Sequence, residues 1–307
     1  MAFTAADVKN LREMTGVGMM DCKKALTASD GDMDKAVEWL RAKGMAASAK
    51  KAGRIAAEGM AFATVVDGVG VVVEVNAETD FVGKNEKFVD FVKGVAATVA
   101  KENPADMDAL MACKYNGTDL TVEQQQQEMV LVIGENIKVR RFAFFTDGVS
   151  VAYVHAGGKI GVLVNLETDL PAEQVEELGK DAAMQIAALN PRFWDKSQVT
   201  EDVLENEKKI MMVQMANDPK MAGKPEQVRE KIVMGKLNKF YAENCLLQQE
   251  FVKDNSMSVE KYIASAAKAL GGTVTFKDAV RFEKGEGIEK KQENFAAEIA
   301  SMVANKG

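Results

Sequence analysis

Gly70-Val71-Val72-Val73-Glu74-Val75-Asn76-Ala77-Glu78-Thr79-Asp80-Phe81 is one half of the pattern that decides the fold. The other half is Gly161-Val162-Leu163-Val164-Asn165-Leu166-Glu167-Thr168-Asp169-Leu170. Each copy is an apolar run that ends in Glu-Thr-Asp and one further apolar residue. Ahead of the first copy, Met60, Phe62, Thr64 and Val66 alternate with small residues, which is the period of a strand. Asp67-Gly68 then gives a hairpin signal. Behind it, past Asn85, Phe88, Phe91, Val92, Val95 and Val99 carry helical spacing. The second copy has a strand at 149–154, a turn at Ala156-Gly157-Gly158, a strand at 160–166 and a helix opened by Pro171, whose fixed φ suits a first turn. Strand, turn, strand, E-T-D-apolar and helix, twice over, predict an α+β core of two related subdomains with antiparallel sheets.

Toward the N-terminus the period changes to that of helices. Thr4-Ala5-Ala6-Asp7 has the form of a capping box, and Val8, Leu11 and Met14 follow on one face. Thr15-Gly16-Val17-Gly18 breaks that helix, and a second covers about 19–28. After the Asp30-Gly31-Asp32 turn, Met33, Ala36, Val37 and Leu40 mark a third amphipathic helix, with Gly44 as its stop. Residues 46–57, rich in Ala and Lys, read as a helical linker leading out of this bundle.

Between the two copies, 101–136 hold a proline break, a polar stretch and a helix around Gln124–Gln127, and 137–145 form a further strand, set off by Asp147-Gly148. Beyond Trp194 the chain turns charged and helical. Val199, Val203, Ile210 and Val213 lie near heptad spacing on one arm. Val228, Ile232, Val233, Leu237 and Tyr241 mark another, across breaks at Asn217-Asp218-Pro219 and Gly223-Lys224-Pro225. Two narrow apolar stripes with a short connection predict a protruding coiled-coil hairpin. Residues 273–282 read as a last strand and 288–303 as a last helix. The expected organisation is a three-helix module with its linker at 1–54 and a first core subdomain at 55–140. A second core subdomain at 141–282 carries the hairpin at about 198–243, and a C-terminal helical module occupies 283–307.

Composition narrows the function. The chain of 307 residues is 47% hydrophobic and has a net charge of −7, a poor match to a nucleic-acid phosphate backbone, where affinity rests on clustered Lys and Arg. A role in translation would therefore run through a protein partner, with no direct nucleic-acid contact. The single histidine, His155, leaves no material for a multi-histidine metal site. Cys22, Cys113 and Cys245 lie far apart without metal spacing and read as reduced thiols. No secretory or transit signal and no apolar run of membrane-spanning length stand out, so a cytoplasmic protein without membrane attachment is expected. Gly68-Val69-Gly70 lies inside a hairpin, so it is not a dinucleotide loop, and no phosphate loop exists. No cofactor is expected.

The acidic pairs Glu78/Asp80 and Glu167/Asp169 allow two readings. They could serve acid–base or cation chemistry, or they could cap the helices that follow. The capping reading is favoured by their position between strand and helix. Phe81 has a core reading and a second one, as a loop aromatic exposed for a partner pocket. His155, before a glycine-rich turn, reads as a strand-end histidine bonded to backbone.

Four segments, in this order, resemble the elongation factor Ts family: Leu11-Arg12-Glu13-Met14-Thr15-Gly16-Val17-Gly18-Met19-Met20-Asp21-Cys22-Lys23-Lys24-Ala25-Leu26; Val75-Asn76-Ala77-Glu78-Thr79-Asp80-Phe81-Val82; His155-Ala156-Gly157-Gly158-Lys159-Ile160-Gly161-Val162-Leu163-Val164; and Arg281-Phe282-Glu283 with Gly285-Glu286-Gly287-Ile288-Glu289-Lys290. The resemblance implies an N-terminal module similar to ubiquitin-associated domains, a two-part core, a coiled-coil hairpin and a C-terminal helical module. It also implies guanine-nucleotide exchange on the GTPase elongation factor Tu, without covalent catalysis. Thr79, Asp80, Phe81 and Val82 would disturb the partner's Mg²⁺ site, with Phe81 as wedge. His155, Ala156 and Gly157 would make a second contact, and Val17, Gly18, Met19 and Met20 would carry the contact of the N-terminal module. The chain departs from the family at Gly83, where alanine is frequent and where glycine would loosen the start of the next helix, and at Lys159, where arginine is frequent. The helical hairpin has three candidate uses: a homo-dimer contact, folding back on the body, or touching the partner. Two other classes compete. One is an adaptor that holds ubiquitin-like folds through residues 1–54. The other is a metal-dependent hydrolase using the acidic pairs.

Overall fold

The computed structural model describes residues 3–218 and 224–289. Three helices open the chain: α1 (Ala5–Thr15), α2 (Met19–Ala28) and α3 (Met33–Lys51). Thr4 and Asp7 form the reciprocal capping box of α1, and Asp32 caps α3 by accepting from the Lys35 N–H. Val8, Leu11, Val17, Cys22, Ala25, Leu26, Ala36 and Leu40 make the small core among them. Gly44 does not stop α3, which runs on to Lys51. A Cβ at Gly44 would lie 3.1 Å from the carbonyl oxygen of Gln127, so this glycine is the crossing point that lets α3 pack on α6 (Val122–Ile133). The helix is therefore anchored along this stretch, where a linker leading out of the bundle was expected.

The core consists of two three-stranded antiparallel sheets. The first contains β1 (Glu58–Val66), β2 (Val69–Ala77) and β3 (Lys138–Phe145), in the order β1-β2-β3. Asp67 and Gly68, both at positive φ, form the two-residue turn of its hairpin, the geometry that matches strand twist. The second sheet contains β4 (Val149–His155), β5 (Ile160–Thr168) and β8 (Val274–Glu283), in the order β4-β5-β8. Asp147-Gly148 therefore carries the chain from one sheet to the other.

Side chains alternate across a strand, and this sorts the central strands into two faces. Val71, Val73, Val75 and Ala77 of β2 face α4 (Glu86–Glu102), against Phe88, Phe91, Val92, Val95 and Val99. Ile160, Val162, Val164 and Leu166 of β5 face α7 (Ala172–Leu189). The opposite faces meet each other, with Val72, Ala61 and Ala63 packed against Leu163 and Phe282. Central strands covered on both sides explain the near-continuous apolar runs. Phe88 and Phe91 are fully buried, each contributing roughly 1.5–3 kcal/mol by burial.

The repeat extends to a shared irregularity. The register of β2 against β3 shifts between Glu74 and Val75. The register of β5 against β8 shifts between Asn165 and Leu166, the matching position of the second copy.

Glu74 lies on the face between the sheets and is fully buried. Its carboxylate accepts from Asn76 Nδ2 at 3.0 Å, Arg140 at 2.9 Å, Arg141 at 2.5 Å and the Gly285 N–H at 2.7 Å. Arg140 and Arg141 also bond the carbonyl oxygens of Glu286 and Glu283, and Lys284 pairs with Glu58. The segment after β8 is thus clasped across the first sheet. Both oxygens of this buried carboxylate are bonded, Oε1 by Asn76, Arg140 and Gly285 and Oε2 by Arg141, as burial of a charge requires.

Two shorter pieces between these elements, α5 (Met107–Ala112) and the ribbon of β6 (Glu250–Phe251) with β7 (Asp254–Ser258), were not anticipated from sequence, nor was α10 (Val259–Leu270). The helical arms are α8 (Glu201–Asn217) and α9 (Glu226–Asn244), which pack on each other. Their base is closed by Val199, Phe240 and Cys245 with Val203, Leu204 and Met211. Ile210 and Val213, expected in the seam, are exposed, so the first arm packs through another stripe. On the second arm Val233 and Leu237 are buried as expected, while Val228 is exposed. Pro219 and Gly223 lie outside the described residues, as does the expected last helix from Lys290 onward.

Candidate functional site

β2 ends at Ala77, and the chain reaches α4 through a tight excursion. Val82–Lys84 form a single 3₁₀ turn. Asn85 then caps α4 by accepting from the Lys87 and Phe88 N–H groups. Phe81 opens the turn with φ −61° and ψ −40°, an unstrained helical conformation. Val82 and Gly83 are buried, whereas Phe81 is 82% exposed. Its core reading is thereby overturned. A Cβ at Gly83 would lie 2.8 Å from the Gly59 carbonyl oxygen, so glycine here seats the turn on β1 and does not loosen the start of α4.

The acidic residues around Phe81 do not cap α4. Glu78 Oε1 accepts from the Asn136 N–H at 2.6 Å and from Arg54 at 3.4 Å. Asp80 is exposed. In the second copy Asp169 accepts from the backbone N–H and hydroxyl of Thr273 at 2.7 and 3.0 Å, and the backbone bond, followed by the hydroxyl bond, holds its carboxyl below the usual carboxylate range. The capping reading is corrected: Glu78 and Asp169 brace neighbouring chain segments. Asn85 has the cap of α4, and Pro171 precedes α7 without a side-chain cap.

The backbone under Phe81 is held by a residue that the sequence reading passed over. Glu135 Oε2 accepts from the Glu78 and Thr79 N–H groups, both at 3.0 Å, and Oε1 from the Thr79 hydroxyl at 2.7 Å. Glu135 follows Gly134, the left-handed C-cap of α6 at φ 85°. Its partners are 56 and 57 residues away in sequence, so no local pattern marked it.

His155 ends β4 and is exposed. Its Nδ1 lies 2.9 Å from the Tyr153 hydroxyl, so its partner is a side chain where a backbone group was expected. With the hydroxyl donating, Nε2–H faces outward as a donor. Ala156, Gly157 and Gly158 all have positive φ. The Gly158 carbonyl accepts from the Ala61 N–H at 2.8 Å, joining this turn to β1. Gly59, under the Phe81 turn, and Ala61, under the His155 turn, are two residues apart, about 7 Å along the strand. Both turns therefore stand at the same end of the core.

The loop between α1 and α2 divides. Val17 is buried, and its carbonyl accepts from the Cys22 thiol. Gly18, Met19 and Met20 are exposed, as is Met14. Lys87, in the first turn of α4, donates to the Gly16 carbonyl at 3.3 Å, tying this loop to the helix that follows the Phe81 turn. Among the described residues no helix is long and apolar enough to cross a membrane.

Comparison with known proteins agrees with this layout. The family model described as Elongation factor TS matches residues 78–286, from the start of the Phe81 turn to the clasp after β8. A protein named elongation factor Ts from Syntrophotalea carbinolica is 48% identical over 99% of this chain and all of its own length. Its namesake from Clostridium perfringens is 48% identical over 97% of this chain and 98% of its own. A third, from Magnetococcus marinus, is 45% identical over 99% of both. With a family match over more than half its length and relatives aligned nearly end to end, the chain belongs to the elongation factor Ts family.

Proposed function

We propose that this protein promotes nucleotide exchange on elongation factor Tu during protein synthesis, in the cytoplasm and without covalent chemistry. The observation that carries this reading is Phe81, an aromatic 82% exposed between a buried Val82 and a clamped backbone. Leaving a phenylalanine in water forgoes roughly 1.5–3 kcal/mol of burial, and a rigid turn presents the ring to a partner pocket at little ordering cost. Asp80 and Phe81 enter the GTPase domain near its Mg²⁺ site, while Thr79 and Val82 hold the turn. Mg²⁺ demands near-ideal octahedral geometry at short distances, so a small displacement of its surroundings weakens it. The phosphates then lose neutralising charge, and GDP leaves faster. The effect is reciprocal: GDP weakens this protein's binding by the same factor, and GTP completes the exchange by mass action.

His155 with Ala156 and Gly157 forms the second contact. Gly18, Met19 and Met20, positioned by Val17, form that of the N-terminal module, with methionines suited to an adaptable apolar surface. Residues 1–54 are read as a module like ubiquitin-associated domains, 55–140 and 141–282 as the two subdomains, about 198–243 as a coiled-coil hairpin, and 283–307 as the C-terminal module. The test is release of a fluorescent GDP analogue from elongation factor Tu in stopped flow. Acceleration by substoichiometric amounts of this protein is expected. If the folded protein binds but leaves release unchanged, the adaptor reading takes over; deleting residues 1–54 then abolishes binding.

A further inference from the structure

We infer that Glu135 is the positioning residue of the exchange site, the group that keeps the Phe81 turn in its presenting conformation before any partner arrives. This inference rests on the proposed exchange activity. Thr79 is only half-buried, Asp80 is exposed, and Phe81 has almost no protein around its ring. Packing therefore fixes the excursion only from Val82 onward. On the strand side the ladder of β1 with β2 ends at the Glu58–Ala77 pair, and Glu78 and Thr79 lie beyond it. Their amide groups have no strand partner. The Glu135 carboxylate accepts both amides and the Thr79 hydroxyl, three bonds at 2.7–3.0 Å. Bonds to an ionised carboxylate are the stronger kind.

The clamp is itself braced on both sides. The Gly134 carbonyl accepts from Lys51, at the end of α3. The Asn136 N–H donates to Glu78, and Asn136 Nδ2 donates to the Arg54 carbonyl at 2.8 Å. The three residues 134–136 thus join the end of the N-terminal helices to the base of the Phe81 turn. Among the described residues no carboxylate reaches into the matching turn of the second copy from elsewhere: there Asp169 of the turn itself bonds Thr273, and Leu170, half-buried, packs against the core.

The chemistry makes the role separable from folding. A glutamine at 135 can keep the geometry, its carbonyl accepting both amides and its NH₂ donating to the Thr79 hydroxyl oxygen. An alanine removes all three bonds.

The experiment measures stimulated GDP release from elongation factor Tu for wild type, Glu135→Ala, Glu135→Gln, Phe81→Ala and the double variant Glu135→Ala/Phe81→Ala, with amide hydrogen exchange at Glu78 and Thr79. Loss of positioning should lower release per unit protein by roughly 10- to 100-fold in Glu135→Ala. Glu135→Gln should recover most of it, amide protection at 78 and 79 should fall in the two variants that carry Glu135→Ala and in neither of the others, and the double variant should be no worse than Phe81→Ala. Wild-type activity in folded Glu135→Ala overturns the inference. So does an equal loss from Glu135→Ala with and without Phe81, which places its effect elsewhere. If Glu135→Ala does not fold, Glu135→Gln and Thr79→Val decide. Retained activity in the first and a several-fold loss in the second support the role, and full activity in Thr79→Val overturns it. If wild type itself leaves release unchanged, the exchange reading fails and takes the positioning role with it, whatever the amide protection shows.

Discussion

The two copies of the strand–turn–strand–helix unit share a sheet topology, a register shift and a Glu-Thr-Asp signature, yet they end differently. In the first, Phe81 stands in solvent. In the second, Leu170 packs against the core of its own subdomain. Counted from the register shift, Glu78 follows Val75 by three positions and Glu167 follows Leu166 by one. The first copy thus has two more residues of reach, about 7 Å of extended chain. Both lie in β2, beyond which Phe81 projects and the Glu135 carboxylate bonds the turn. The same scaffold is thus supplied twice, and the chain leaving the central strand is longer in the first copy, 78–85 before α4, than in the second, 169–171 before α7.

A second difference sits at the register shift itself, where Glu74 in one copy stands opposite Asn165 in the other. The largest effect is expected there. Glu74→Ala leaves Arg140 and Arg141 without their buried partner and should cost about 3–5 kcal/mol in chemical denaturation. Asn165 has a buried Oδ1 without a partner, and Asn165→Ala should cost within about 1 kcal/mol. Equal costs would break the asymmetry. Acid titration sharpens it. Burial pushes the Glu74 carboxyl up, but the Gly285 N–H, Asn76 and the two guanidinium groups outweigh burial and hold it below its ordinary value. The folded state therefore binds its proton less readily than the unfolded one. The contribution to stability is complete above the unfolded pKa of about 4.3 and is lost as pH falls through the lower folded value. Glu74→Gln should flatten that acid limb, as read from denaturation midpoints below about pH 5.

At the turns the effects on stability should be smaller and unequal. Leu170→Ala should lower stability by about 1–3 kcal/mol, while Phe81→Ala should change it by less than about 0.5 kcal/mol, the range of an exposed site. Gly83→Ala must push the Gly59 carbonyl aside and should cost about 1–2 kcal/mol, seen as a lower melting temperature. A neutral result would mean that the turn is not seated on β1.

Local physics was readable from the chain. The Thr4 capping box, the Asp67-Gly68 turn, the Asn85 boundary and the duplicated strands follow from spacing and turn chemistry, and the structure has them. The family resemblance singled out Phe81 and its neighbours, where the residues alone favoured a place in the core. What escaped was non-local. Gly44 reads as a stop until α6 is known to cross it. The acidic residues read as caps until Asn136 and Thr273 are known to approach them. Glu135 bonds partners more than fifty residues away. Ile210 and Val213 fit a heptad that the packing of α8 on α9 does not use. The β6–β7 ribbon is too short and polar to show alternation. In contrast, α10 carried its signal openly, with a Ser258 cap and Val259, Ile263 and Ala267 on one buried face.

The most direct test compares Phe81→Ala with Leu170→Ala in stopped-flow release of a fluorescent GDP analogue from elongation factor Tu, at a temperature where both variants are folded. Loss of most of the stimulated release in Phe81→Ala, with near wild-type release in Leu170→Ala, is the expected result. Undiminished release in Phe81→Ala would contradict the assignment of exchange to the first copy's turn.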